Sequence, residues 1–203
     1  MKGKYLKQHR SFMENLSSNR AIIVQRDNYT LADAKLEMTQ NFPREMVNFY
    51  NEFKSVSLAW KANPEWSIDY LDEELDFVEG EFNLVERRQF YKGINALELQ
   101  NNYGLKINEE QAKSLHPFDE LLHEYIVCID KNNHERLFFL DLDQNQIHEI
   151  SIDFPTYLSL GYRNYFYYGW QKAILLHSTN HIKKLKHYLH QLFSNYKFNE
   201  HTI

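Results

Sequence analysis

Residues His116–Trp170 read HPFDELLHEYIVCIDKNNHERLFFLDLDQNQIHEISIDFPTYLSLGYRNYFYYGW. Within them, Glu124–Asp130 (EYIVCID) and Glu135–Asp141 (ERLFFLD) are short runs of β-forming residues joined by Lys131-Asn132-Asn133-His134. Asparagine tolerates positive φ, so Asn-Asn suits a hairpin turn. A strand sends alternate side chains to opposite faces. Tyr125, Val127 and Ile129 therefore share one face, with Ile126 and Cys128 on the other; Leu137 and Phe139 likewise oppose Phe138 and Leu140. Apolar side chains on both faces predict central strands covered on both sides. Asp143-Gln144-Asn145 makes a second turn into a weaker strand, Gln146–Ile152. Asp153 is placed to cap the next helix, and Pro155 fits its first turn, where no amide donor is missed.

That helix is predicted to run on through an aromatic-rich stretch. Eight of the seventeen residues from Phe154 to Trp170 are Phe, Tyr or Trp. One helix cannot hide so many rings on a single face. Core packing against the sheet is the ordinary use of such residues; a binding patch is the sharper alternative.

Working outward, Tyr5, Leu6, His9, Phe12, Met13 and Leu16 recur at helical spacing over Lys4–Leu16. Ala21–Val24 suits a short strand. Thr30 is placed to cap a helix at Leu31–Met38, and Pro43 to open another at Pro43–Glu52 behind a cap at Asn41 or Phe42. Ser55–Trp60 alternates as a strand, Glu81–Val85 is an irregular one, and Glu86–Tyr91 a short helix ended by Gly93. Asn101–Pro117 reads as loop with a few helical residues. Asn180–Tyr196 is a final amphipathic helix with Ile182, Leu185, Leu189, Leu192 and Tyr196 on its apolar stripe. The 203 residues, with six glycines and four prolines, predict one domain with short connections, its core at about 31–176 and helical additions at both ends.

The net charge is −5, which gives the chain no overall electrostatic reason to bind nucleic acid. The charge is uneven. From Glu65 to Glu86 there are nine acids and no Lys or Arg. Such a run is either a solvated face or a surface for a basic partner. Glu65, Asp69, Asp72, Glu73, Glu74 and Asp76 supply its charge, and Trp60, Trp66, Tyr70 and Phe77 are interleaved as candidate anchors. Cys128 is the sole cysteine, so no internal disulfide forms, and its apolar flanks read as a small buried hydrophobe. No leader fits a signal peptide, and no apolar run reaches the ~18 residues of a membrane span. The expected location is cytoplasmic.

Two pieces resemble the SUKH superfamily, the Smi/Knr-like group of cell-wall regulators and bacterial immunity proteins. The first is Asn41-Phe42-Pro43-Arg44-Glu45-Met46-Val47-Asn48-Phe49-Tyr50 followed by Val56-Ser57-Leu58-Ala59-Trp60. It is similar to that family's proline-started helix, turn and apolar strand. The second is Phe138-Phe139-Leu140-Asp141-Leu142-Asp143, then Ile147-His148-Glu149-Ile150, then Phe154-Pro155-Thr156-Tyr157-Leu158, similar to its strand, turn, strand and following helix. The likeness covers roughly Leu31 to Leu176. Phe53-Lys54-Ser55 stands where many members carry Asn-Gly. The resemblance implies an α+β fold, a mostly antiparallel sheet flanked by helices. It also implies a non-enzymatic role with no catalytic residues to carry over.

No motif for catalysis or metal binding is complete in the sequence. His123-Glu124, His134-Glu135 and His148-Glu149 do not continue as H-E-x-x-H. His177 with His181, and His187 with His190, have helical spacing for a metal, without an evident third ligand. Asp141-x-Asp143-x-Asn145 begins like a calcium loop, but Gln146 stands where glycine is required and Ile152 where glutamate is. No phosphate loop or nucleophile elbow occurs, so no catalytic residue, metal or cofactor is assigned. The leading expectation is a non-enzymatic protein-interaction module: an immunity protein that binds and neutralises a cognate bacterial toxin, such as a nuclease, through a basic toxin domain. The alternative is a regulatory or scaffold binding module without a toxin partner. An enzyme of unrecognised type comes third. Direct nucleic-acid and membrane binding are not expected.

Overall fold

The computed structural model describes residues 3–33, 42–71, 78–121 and 124–198. In chain order they hold α1 (Lys4–Ser18), β1 (Ile22–Leu31), α2 (Arg44–Glu52), β2 (Phe53–Ala62), β3 (Glu79–Leu84), α3 (Arg87–Lys92), α4 (Ala96–Tyr103), α5 (Glu109–Ser114), β4 (Leu115–Leu121), β5 (Tyr125–Asp130), β6 (Asn133–Asp141), β7 (Gln146–Ile150), α6 (Phe154–Arg163), α7 (Trp170–Ile174) and α8 (Thr179–Leu192). The strands form one seven-stranded sheet in the order β1 to β7, and every neighbouring pair is antiparallel. The architecture is α+β, as the sequence predicts.

The larger core lies on one face. It joins Phe12, Met13 and Leu16 of α1 with Met46, Phe49 and Tyr50 of α2, Phe154, Tyr157 and Leu158 of α6, Trp170 of α7, and Leu185 and Leu189 of α8. The sheet meets them with Val56, Leu58, Trp60, Phe82, Val127, Ile129, Leu137 and Phe139. A smaller core covers the opposite face of β4–β6, with Ile147 of β7 at its edge: Leu115, Cys128, Phe138 and Leu140 pack with Leu99 and Leu105. The two-sided alternation read from EYIVCID and ERLFFLD is thus the one observed.

The other half of the sheet is different. Across β1, β2 and β3 the face away from the larger core is polar. Arg26 lies opposite Ala59 and Ala59 opposite Glu81, while Ser57 faces Asn83 and Lys61 faces Glu79. Arg26 pairs with Glu81 and bonds Asn83 at 3.4 Å. The two halves meet at one ladder position, Leu84 with Asp119, helped by the Val85 amide, which donates to the Phe118 carbonyl at 3.0 Å.

Several elements depart from the sequence reading, each for a local reason. Thr30 and Leu31 end β1 instead of opening a helix; Thr30 lies opposite Ser55 and Leu31 opposite Phe53. The rest of the helix predicted to Met38 falls on residues outside those described. Pro43 sits at the cap position of α2, so the helix starts one residue later than predicted. Residues 101–117 are loop only at 104–108; around it they hold the end of α4, all of α5 and the start of β4. The Asn95 side chain caps α4, Asn108 caps α5, and Gly104 closes α4 at φ 68°. The final helix stops at Leu192, and Tyr196 lies beyond it, donating from its hydroxyl to Asn164 Oδ1 at 2.8 Å.

The aromatic stretch is not one helix. α6 ends at Arg163, and Tyr165 and Phe166 take φ of 55° and 49° before α7 begins. The break lets residues 166–168 pair with β3. The Glu81 amide donates to the Phe166 carbonyl at 2.9 Å and the Tyr168 amide to the Glu79 carbonyl at 2.8 Å. Those bonds satisfy backbone groups that would otherwise lie unpaired. Gly161 admits the Phe166 ring, since a Cβ there would lie 2.2 Å from it. Of the eight rings, Phe154, Tyr157, Phe166, Tyr167 and Trp170 are buried; Tyr162, Tyr165 and Tyr168 are half-buried.

α1 is docked by a carboxylate from another helix. Glu52 accepts from the Gly3 amide at 3.1 Å and the Leu6 amide at 2.8 Å, satisfying donors that the helix start leaves open. Hydrogen bonds from Tyr5 and Lys4 hold the Glu45 carboxyl below its ordinary range.

Candidate interaction surface

The acidic stretch begins as a pinned strap. β2 ends at Ala62, and Asn63 organises the turn that follows. Its Oδ1 accepts from the Glu65 amide at 3.0 Å, its Nδ2 donates to the Arg20 carbonyl at 3.0 Å, and its carbonyl accepts from Trp66 N at 2.9 Å. This is the Asx-turn chemistry of asparagine. The chain then crosses α8. Gln191 holds both backbone groups of Asp69, accepting from its amide at 2.7 Å and donating to its carbonyl at 3.1 Å. His187 Nε2 donates to the same carbonyl at 2.5 Å, and the Leu71 amide donates to Tyr188 Oη at 2.8 Å. Half-buried Ile68 packs on the larger core.

The backbone is therefore held while large side chains stay out. Trp66, Tyr70 and Leu71 are 44%, 43% and 38% exposed. The Asp69 side chain is 87% exposed, 4.0 Å from His187 Nε2, and Glu65 is exposed. Four of the residues singled out from the sequence, Glu65, Trp66, Asp69 and Tyr70, are brought together here. Trp60 is not among them. It is fully buried in β2, with its indole Nε1 donating to the Tyr165 carbonyl at 2.7 Å and packed so closely that a Cβ on Gly80 would lie 2.3 Å from that nitrogen. Trp60 supports the sheet and offers a partner nothing. Asp72, Glu73, Glu74, Asp76 and Phe77 lie outside the described residues.

Further along the run, the acids serve the sheet. Glu81 is paired with Arg26. Burial, and then the nearby Glu81 charge, raise the Glu79 carboxyl above its usual range, opposed by Lys61. The clamp residues His187 and Gln191 were missed in the sequence. They sit 118 and 122 positions from Asp69, and nothing local to α8 marks them as its partners.

The remaining polar clusters are structural. Tyr157 donates to Asp119 Oδ2 at 2.5 Å, Gln171 Nε2 donates to Tyr157 Oη at 3.2 Å, and the Asn83 amide reaches Asp119 Oδ1 at 3.3 Å. Burial pushes the Asp119 carboxyl up to about 7, against those hydrogen bonds. Lys172 Nζ lies 2.9 Å from Asp141 and 3.7 Å from Asp143, so an internal ammonium occupies the loop that begins like a calcium site. His181 Nδ1 bonds Ser178 Oγ at 2.8 Å, whereas His190 lies edge-on to Tyr196. Burial drives the Cys128 thiol well up, away from the thiolate form that reacts. Among the described residues no group of three or more His, Cys, Asp or Glu could hold a metal ion, and no helix is long and apolar enough to cross a membrane.

No protein-family model matches the chain, and no curated protein or solved structure does. Nothing in these comparisons identifies a SUKH family.

Proposed function

We propose that this chain is a non-enzymatic, cytoplasmic protein-interaction module of SUKH-like type, an immunity protein that binds and neutralises a bacterial toxin. The observation that carries this reading is the strap at residues 63–71. Trp66, Tyr70 and Leu71 are exposed on a backbone already fixed by Gln191, His187 and Tyr188. Tyrosine and tryptophan are the side chains that most often anchor interfaces. A backbone ordered beforehand spares the partner the entropy of ordering it. Glu65 and Asp69 flank the rings, so a basic partner is steered toward them. A nuclease toxin presents such a basic face to its own substrate.

The test is co-expression with neighbouring genes of the source organism, followed by recovery of a stoichiometric complex. The expected partner is basic, toxic when expressed alone, and silenced by the intact chain. Replacing Trp66 and Tyr70 together by Ala is expected to weaken the complex by roughly 100-fold, as loss of two central anchors does. A complex of unchanged affinity after that replacement overturns the assignment of the surface. A harmless partner overturns the toxin and leaves a binding module.

A further inference from the structure

A second surface, which meets the strap at Trp66 and Gln191, carries the opposite charge. A cleft of about 1090 Å³ opens between the C-terminal turns of α1, the end of α6 and residues 190–197. The chain holds 28 acidic residues against 23 Lys and Arg, yet no Asp or Glu lines this cleft, whereas Arg163, His190 and Lys197 do. Arg163 and Lys197 are exposed. Neither is within ion-pair distance of a carboxylate among the described residues. Unpaired cations in an acidic protein, collected on one concave surface, form a local field for an anion.

The rest of the lining decides what kind of anion. Bases need open aromatic faces to stack on, and most rings here are covered. Tyr165 lies flat on Phe193 at 3.6 Å, and Phe12 and Tyr196 are buried. The open positions are instead amides and hydroxyls, including Asn15, Ser194 and Asn195, which suit peptide groups. The molecule also shows the mode of recognition. At the cleft's edge, Gln191 holds the N–H and C=O of Asp69 in an extended segment rich in acids and aromatics.

We propose that this cleft binds an extended acidic peptide segment of another protein, its carboxylates on Arg163 and Lys197 and its backbone on the side-chain amides of Asn15 and Asn195. Trp66 stands at the rim of the cleft, where it reports occupancy.

Tryptophan emission reads this directly, because Trp60 and Trp170 are buried and Trp66 lies on the cleft. The probes are acetylated octapeptides alternating glutamate with phenylalanine or lysine with phenylalanine, and a thymidine octanucleotide. The glutamate peptide is expected to give a saturable change in emission that weakens with added salt. The double variant Arg163→Glu, Lys197→Glu is expected to bind it at least about tenfold more weakly while keeping the wild-type circular dichroism. Trp66→Phe is expected to lose the emission signal yet still bind a fluorescein-labelled glutamate peptide by anisotropy. The proposal is overturned if the lysine peptide binds as well, if charge reversal leaves affinity unchanged, or if no probe saturates. Tighter binding of the octanucleotide overturns it in favour of a nucleic-acid site. None of these readouts depends on a toxin partner, and charge reversal at Arg163 and Lys197 leaves the strap residues intact, so failure of this site is distinguishable from failure of the strap.

Discussion

The two halves of the sheet bury themselves differently. β4–β6 have a core on each face, whereas β1–β3 have one core and one polar face. In the first half consecutive residues of a strand are interior, as in Val127 to Ile129 and Leu137 to Asp141. In the second, alternate residues are free to carry charge, and the amides and carboxylates there bond one another instead of packing. A sheet need not be uniform to be continuous, and covering one half twice leaves the other half able to vary.

The largest test of this contrast is truncation on both faces. Phe139→Ala removes a ring from the larger core and Leu140→Ala a side chain from the smaller one. Each is expected to cost about 2–5 kcal/mol in denaturant unfolding. In the other half, Leu58→Ala is expected to cost about as much, but Ala59→Ser next to it within about 0.5 kcal/mol. If Leu140→Ala proved as mild as Ala59→Ser, the second core would contribute nothing and the contrast would be lost.

The seam between the halves gives a smaller, pH-dependent effect. An aspartate in an unfolded chain ionises near ~3.9, whereas Asp119 in the fold keeps its proton up to about 7. Between those values the folded state holds the extra proton, so this group's contribution to stability falls as pH rises from about 4 to about 7 and is then level. Asp119→Asn, which keeps the shape without the charge, is expected to flatten that part of the stability profile. Burial also raises Glu120 and Glu124, so some slope is expected to remain. Unfolding midpoints at pH 4.5 and 8 with the same difference in variant and wild type would remove Asp119 from the account.

The smallest effect is on the polar face. Arg26→Gln breaks the pair with Glu81, whose members are 38% and 30% exposed, and is expected to cost under about 1 kcal/mol. A larger loss would mean that this face stabilises the half-sheet as a core does.

What the sequence disclosed follows the same division. EYIVCID and ERLFFLD were legible because strands buried on both sides are apolar throughout. The tail of β1, Arg26 to Leu31, was not, because a half-covered strand carrying Asp27, Asn28 and Thr30 has the composition of a turn. The start of β4 reads as loop and the rest of it carries no clear strand signal, because it contains Pro117, which cannot donate to a ladder and sits at a register shift, and Asp119, whose burial depends on Tyr157 from a distant helix. The broken aromatic helix had signals in Gly161, Asn164 and Gly169, but its cause is the pairing with β3, which is a tertiary fact. Of the strap, the exposed rings among acids could be read. Their clamp on α8 could not, and the interior position of Trp60 follows from the strand alternation of SVSLAW.

The strand order has a consequence for how the molecule is made. Each strand of this sheet lies beside the one synthesised just before it, so the ladder can be laid down as the polypeptide leaves the ribosome, without waiting for a distant partner. The clasps onto α8 cannot be closed that way. The Asn19 side chain donates to the Leu192 carbonyl at 2.8 Å across 173 residues, joining the end of the first helix to the end of the last. Until α8 emerges, Phe12 and Leu16 of α1 lack part of the larger core, and its apolar closure waits on that helix.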